Sequence, residues 1–379
     1  MKHLSRCAAI VGAAESDLGI VPNKNVFQLQ AEAAKKALDE CGLKKSDVEA
    51  VFSAGPHSYL QTVTIAEYMK ITPKYTDSTS IGGSSFEAHI GHAVAGIAAG
   101  LFDTALITYG STQRSDSSRP GSRIERDIFE APYGMPFPLG GYALAAQRHM
   151  SMYGTTSEQL AEVAVAAREW AKLNPNAFKR DPLTIEEVLN SEIIASPLHK
   201  LDCCLVTDGG GAIVITSKEK AKQCKTEPIW ILGTGETHTH MHISQMDDHT
   251  VTGAQTSGKR AYEMAGITPS EIDLVQVYDS FTITVLLQLE DLGFCKKGEG
   301  GRFVQNRNIR PGGDFPLNTS GGGLSYCHPG LFGIFLIIEA VRQLRGECGD
   351  RQVKNAKTAL CNGMGGVLSS SSTVILGRD

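Results

Sequence analysis

No stretch of this 379-residue chain approaches the ~20 consecutive apolar residues that a membrane-spanning helix needs. Positive charge is not in excess either. The 36 Lys and Arg stand against 41 Asp and Glu, a net charge of −5, which argues against nucleic acid as the main partner. The nine cysteines are Cys7, Cys41, Cys203, Cys204, Cys224, Cys295, Cys327, Cys348 and Cys361, an odd number without a C-x-x-C pair. The N-terminal run MKHLSRCAAIVGAAES has only a short apolar stretch that leads into a Gly/Ala turn, so it reads as a first strand rather than a signal peptide. Together these features point to reduced thiols in a cytoplasmic protein.

What is present is the composition of a soluble globular protein, 41% hydrophobic and 20% charged. The length suits two or three ordinary domains or one large duplicated one. The 40 glycines cluster at GGSS, DGGGA, SGGG and NGMGG, the mark of close backbone approaches rather than of a linker. Tyr75 to Gly100 reads as a strand, a tight turn at Gly82-Gly83 and a helix rich in small residues. A helix N-terminus of this kind stabilises negative charge and is a common seat for a nucleophile or an oxyanion hole. Yet the turn holds only Gly83, Ser84 and Ser85, with no cysteine near in sequence.

Strands are expected at Arg6–Gly12, Glu49–Ala54, Asp103–Gly110 and Asp208–Ser217, and a helix at Val26–Cys41 stopped by Gly42. Ser111–Gly141, with Pro120, Pro132, Pro136 and Pro138, reads as a long irregular excursion. Helices follow at Tyr142–Tyr153, Ser157–Leu173 and Leu183–Leu189. The pattern then repeats. Lys35–Val51 (KKALDECGLKKSDVEAV) aligns without a gap to Lys259–Val275 (KRAYEMAGITPSEIDLV), with Lys35/Lys259, Ala37/Ala261, Gly42/Gly266, Ser46/Ser270 and Val51/Val275 identical. Pro228–Gly233 matches the first strand, Thr104-Ala105-Leu106 recurs as Thr358-Ala359-Leu360, and Thr373–Gly377 answers Ala212–Ser217. The chain therefore reads as two copies of one α/β unit. Residues 1–110 and 198–225 form the first copy, 111–197 an inserted loop and helical region, and 226–379 the second copy. Buried central helices are expected at Phe86–Gly100 and Pro329–Arg345.

The duplication, the glycine turn and the C-terminal motifs resemble the thiolase superfamily over nearly the whole chain, and within it the sterol-carrier-type thiolase-like proteins. The resemblance implies a five-layered α/β/α/β/α fold, a homodimer, and chemistry beside the thioester of an acyl-CoA with no bound cofactor. Four loops carry it. The first places Gly83, with Ser84 beside it, where the family has its nucleophilic cysteine. The second is Tyr278-Asp279-Ser280-Phe281, the third Cys327-His328-Pro329-Gly330 with Tyr326 before it, and the fourth Cys361-Asn362-Gly363-Met364-Gly365-Gly366.

Each candidate has two readings. His328 titrates near neutral pH and can be an acid, a base or an oxyanion donor; otherwise it is structural. Cys361 is an acid/base group or a buried inert thiol. Tyr278 and Tyr326 can hydrogen-bond a carbonyl or move a proton, or simply pack at a sheet edge. Ser84 is a nucleophile only if a base reaches it and is otherwise a helix cap. The N–H groups of Gly83 and Ser84 are expected to hold an oxyanion, and the loop of Gly363 and Gly365 to contact substrate. His238, His240 and His242 would share one face of a strand, but no cysteine or carboxylate completes a recognisable zinc set, so no metal site is assigned.

Loss of the cysteine removes the acyl carrier that thiolysis needs. A retro-aldol step needs only a base for a β-hydroxyl and an oxyanion site. The glycine turn, the YD-x-F motif and FCKKGEGGRFV resemble thiolase-like acyl-CoA retro-aldolases, which act with a small zinc-ribbon/OB-fold partner. The leading expectation is retro-aldol or aldol cleavage of a β-hydroxyacyl-CoA. The alternatives are acyl transfer of the acetyl-CoA acetyltransferase/β-ketothiolase type and a non-catalytic acyl-CoA-binding subunit.

Overall fold

The two matching segments fold alike. Each ends a helix, Val26–Cys41 or Ala254–Ala265, on a left-handed glycine, Gly42 at φ 79° or Gly266 at φ 75°. Each passes through one 3-10 turn, Lys45–Asp47 or Pro269–Glu271, into a buried strand. The helix also lies on its strand in the same way. A Cβ on Gly12 would stand 2.2 Å from the Ala37 carbonyl oxygen, and one on Gly233 2.1 Å from that of Ala261. Only glycine permits so close an approach, and the alanines are one of the identical pairs.

The computed structural model describes residues 2–56, 58–116 and 129–379. Eleven strands are present among them: β1 Ala8–Glu15, β2 Ala50–Ser53, β3 Tyr75–Asp77, β4 Thr104–Ser111, β5 Ile193–Ala195, β6 Leu198–His199, β7 Gly209–Ser217, β8 Ile229–His238, β9 Leu274–Val277, β10 Thr358–Gly365 and β11 Ser370–Gly377. Strands β5 and β6 form a separate hairpin in the insertion. The other nine form one sheet in the order β3-β2-β4-β7-β1-β8-β11-β10-β9.

From the centre outward the halves repeat. β1 is antiparallel to β7, β7 to β4, and β4 is parallel to β2. Likewise β8 is antiparallel to β11, β11 to β10, and β10 is parallel to β9. The half-sheets meet where Ala9 and Ile10 pair with Trp230 and Ile229. The central helices Ser85–Ala98 and Gly333–Arg345 pack on each other and on strands of both halves, whereas Val26–Cys41 covers the first half-sheet and Ala254–Ala265 the second. This is the expected five-layer order, with the two sheet layers hydrogen-bonded at β1 and β8 into one.

The insertion supplies helices Leu139–Tyr153, Ser157–Lys172 and Ile185–Leu189. The middle one packs against the Gly322–Tyr326 turn and the Thr282–Asp291 helix. Part of the excursion expected at Ser111–Gly141, with its Pro120, lies outside the described residues. No helix among the described residues is long and apolar enough to cross a membrane. One expectation is corrected here. Strand β8 ends at His238, so His240 and His242 do not share its face. The His238 ring meets the Ser370 hydroxyl at 3.0 Å and the His240 ring the Val367 carbonyl at 3.0 Å.

Candidate active site

The turn Gly82–Ser84 opens the central helix Ser85–Ala98, and Gly83 is buried. A Cβ on Gly83 would stand 2.0 Å from Cε2 and 2.5 Å from Cζ of Tyr278, and 2.6 Å from the Met364 carbonyl oxygen. The phenol ring therefore fills the space in which a side chain at position 83 would begin. Tyr278 reaches it from the end of β9, where its N–H donates to the Asn362 carbonyl at 3.0 Å.

The Tyr278 hydroxyl lies 2.9 Å from Nε2 of His328, 3.1 Å from the Gly330 carbonyl oxygen, and accepts the Phe332 N–H at 3.2 Å. Both residues are nearly buried, Tyr278 at 5% and His328 at 8% exposure. Burial pushes the His328 imidazole down from its ordinary value to about 4, and the Tyr278 phenol well above its ordinary value. At neutral pH the pair is a neutral imidazole beside a neutral phenol, a proton acceptor held against a proton donor.

Asp279 supports the pair from behind. Its carboxylate accepts the Gly323 N–H at 2.7 Å and the Leu324 N–H at 3.2 Å, fixing the glycine loop that leads to His328. Burial raises it to about 7.

The other expected residues go elsewhere. The Tyr326 hydroxyl donates to Glu15 at 2.7 Å, and that carboxylate is also paired with Arg342 on the second central helix. The Cys361 thiol is buried, meets the Leu336 carbonyl at 3.6 Å, and is pushed well above the ordinary thiol range by burial. Ser84 is buried and gives no side-chain cap; its hydroxyl donates to the Ile81 carbonyl at 2.9 Å and meets the Ser370 hydroxyl at 2.8 Å. Gly363 and Gly365 press on the back of the turn, against the Ser84 Cα and the Ile81 carbonyl. Tyr278, His328 and the Gly83 turn are thus brought together, and the Tyr326 hydroxyl and Cys361 thiol are engaged at other partners.

Two residues not picked out from sequence also hold the site. Tyr109, on β4, donates to the Pro329 carbonyl and accepts the Leu331 N–H at 3.1 Å. Glu87, in the first turn of the central helix, is 1% exposed and fills the space left by the absent side chains of Gly333 and Gly363. Neither Glu87 oxygen has a hydrogen-bond partner among the described residues, and burial raises its carboxyl to about 8. Neither residue stands in a motif; an acidic residue inside a helix of small residues was the one available signal.

Comparison with known proteins matches the chain to a family. Residues 235–378 match the thiolase C-terminal domain-like family. An acetyl-CoA acetyltransferase of Methanothermobacter thermautotrophicus is 33% identical over 98% of this chain and 100% of its own. The chain belongs to the thiolase superfamily. A steroid side-chain-cleaving aldolase of Thermomonospora curvata is 32% identical over the full length of both chains. The solved structure of an Ltp2–ChsH2(DUF35) aldolase superposes with a TM-score of 0.90 at 31% identity, covering 99% of each chain. This superfamily member is an enzyme of the carbon–carbon lyase or acyltransferase type. In this member the Tyr278 ring fills the space beside Gly83 in which a side chain would begin.

Proposed function

We propose that this enzyme cleaves the Cα–Cβ bond of a β-hydroxyacyl-CoA by a retro-aldol reaction without a covalent acyl intermediate. The observation that carries the reading is the Tyr278 ring in the residue-83 side-chain space, with its hydroxyl 2.9 Å from the neutral His328 imidazole. The Tyr278–His328 pair takes the proton of the β-hydroxyl. The C–O bond becomes a carbonyl, the Cα–Cβ bond breaks, and its electron pair passes into the thioester as an enolate. The helix N-terminus at Gly83–Ser84 stabilises the enolate oxygen. Return of the proton to Cα completes a ketone or aldehyde and a shortened acyl-CoA, so no redox cofactor or acyl carrier is consumed. The aldolase relatives support this choice over acyl transfer.

We further propose a cytoplasmic homodimer that works with a small partner of the zinc-ribbon/OB-fold type. Support for a partner comes from the two-component name of the Ltp2–ChsH2(DUF35) structure. Acyl transfer is the competing reading, favoured by the acetyltransferase relative. It would need a thiolate. Burial instead pushes the Cys204 and Cys361 thiols up, away from the thiolate form.

The test is a panel of β-hydroxyacyl-CoA and β-ketoacyl-CoA esters, with and without a co-expressed small protein of the zinc-ribbon/OB-fold type, followed by chromatography of the CoA products. Cleavage of β-hydroxy esters with no acyl-enzyme in intact-protein mass spectra is expected. A trapped acyl-enzyme would replace this reading with acyl transfer.

A further inference from the structure

The loop that carries His328 belongs to the second half, but the first half holds it. Pro329 has no N–H, so the loop cannot be gripped through that amide. The backbone of His328 is held at both its polar groups by one buried residue, Thr207. The Thr207 hydroxyl oxygen accepts the His328 N–H at 3.0 Å, and the Thr207 N–H donates to the His328 carbonyl at 3.2 Å. Just upstream, Cys204 N–H donates to the Ser280 carbonyl and Leu205 N–H to the Gly323 carbonyl, each at 2.9 Å. Residues 203–207 therefore bind both loops that deliver the dyad, the one after Tyr278 and the one before His328.

The next residue extends the connection. Asp208 is fully buried, and its carboxylate accepts the N–H groups of Val21 and Arg114 at 2.8 Å and of Ser115 at 2.9 Å, together with the Ser115 hydroxyl. Arg114 and Ser115 open the excursion that follows β4. One dipeptide thus ties the beginning of the excursion to the backbone of His328.

We propose that Thr207 is a positioning residue that sets where the His328 imidazole stands against Tyr278, with Asp208 joining that position to the segment after β4. Threonine suits the task because its hydroxyl accepts the His328 N–H while its branched Cβ limits the χ1 rotamers open to it. The proposal rests on the retro-aldol reading for its kinetic consequence, but its geometric content does not depend on the substrate. Burial that holds His328 well below its ordinary value of 6.5 is the physical signature of the imidazole being in place.

The experiment compares Thr207→Val, which keeps the shape and removes the oxygen, with Thr207→Ser, which keeps the oxygen. Histidine-labelled full-length protein is titrated by nitrogen NMR, and kcat and KM are measured on a cleaved β-hydroxyacyl-CoA. Thr207→Val is expected to move the His328 titration from about 4 up toward 6.5 as the loosened loop hydrates. It should lower kcat by roughly 10- to 100-fold with KM within about twofold, the scale of a misplaced catalytic group. Thr207→Ser should stay near the wild-type protein in both. An unmoved His328 titration in Thr207→Val, or equal losses in the two variants, would overturn the proposal. If Thr207→Val does not fold, Asp208→Asn takes its place. It should shift the His328 titration in the same direction by less, and no shift would overturn the proposal. If the wild-type protein cleaves no β-hydroxyacyl-CoA, the functional reading fails while the titration still decides the positioning role.

Discussion

The two halves are built on the same strand order and have opposite roles at the site. Continuing the alignment of Val51 with Val275 places Ala54-Gly55 where the second half has Tyr278-Asp279. The loop before the first central helix is Ile81–Ser84, half of it glycine. The loop before the second is Cys327–Phe332, which carries the imidazole. The first half contributes a helix N-terminus, a glycine with no side chain, and the clamps Thr207 and Tyr109. The second contributes Tyr278 and His328, the groups proposed to move protons. Duplication supplies two equivalent sets of loops around a shared helical layer, and only one set has to carry titratable chemistry while the other shapes the space. The outer edges differ as well. Strand β9 has Leu317 bridged to Val275 beyond it, whereas β3 ends the sheet on the other side.

The division can be tested from either half. The largest effect is expected from the second. Tyr278→Phe and His328→Ala should each lower kcat by about 10²- to 10⁴-fold, read as CoA-ester cleavage by variants whose folding is checked by circular dichroism. Normal turnover by both would end the assignment of acid–base work to this half.

The next effect comes from the first half. Gly83→Ala puts a methyl group 2.0 Å from the Tyr278 ring, so it should cost about 1–3 kcal/mol of stability by overpacking and displace the phenol. Chemical denaturation would read this, and Tyr278→Ala in the same chain should return part of the loss. Full stability and activity in Gly83→Ala would mean the ring is not where the structure places it.

A smaller, pH-dependent effect is expected at Glu87. Its carboxyl titrates near 4.5 when unfolded and near 8 when folded. Between these values the folded state holds the extra proton, so its contribution is fully present below pH 4.5 and is lost as pH rises through 8. Glu87→Gln keeps the neutral shape and should raise the melting temperature relative to wild type more at pH 8.5 than at pH 5. An equal difference at the two pH values would show that Glu87 does not titrate in the fold.

The smallest effect is expected at Cys361. Its thiol faces the Leu336 carbonyl, so Cys361→Ala should leave kcat within about threefold, against the 10² or more expected when an acid–base group is removed. A loss as large as that of His328→Ala would put the fourth loop back into the chemistry.

Much of this was legible in the sequence. The duplication came from matching residues at matching spacing, because helix stops such as Gly42 and Gly266 and close-packing pairs such as Gly12 with Ala37 are local requirements that leave local marks. The absence of a nucleophile at Gly83 could likewise be read directly. Motifs also named Tyr278 and His328. What they could not say was that Tyr326, one residue from the same motif, spends its hydroxyl on Glu15, or that Cys361 turns into the core.

The sequence by itself determined the repeated α/β unit, the glycine turn and the residue types available for catalysis, since these depend on periodicity, backbone freedom and side-chain chemistry. Only the tertiary structure decided which of those residues meet. The Tyr278 ring enters the space of Gly83, and Thr207 grips His328, across separations of more than a hundred residues. Such contacts are fixed by how the two half-sheets close on the shared helices, and neither partner's local sequence records them.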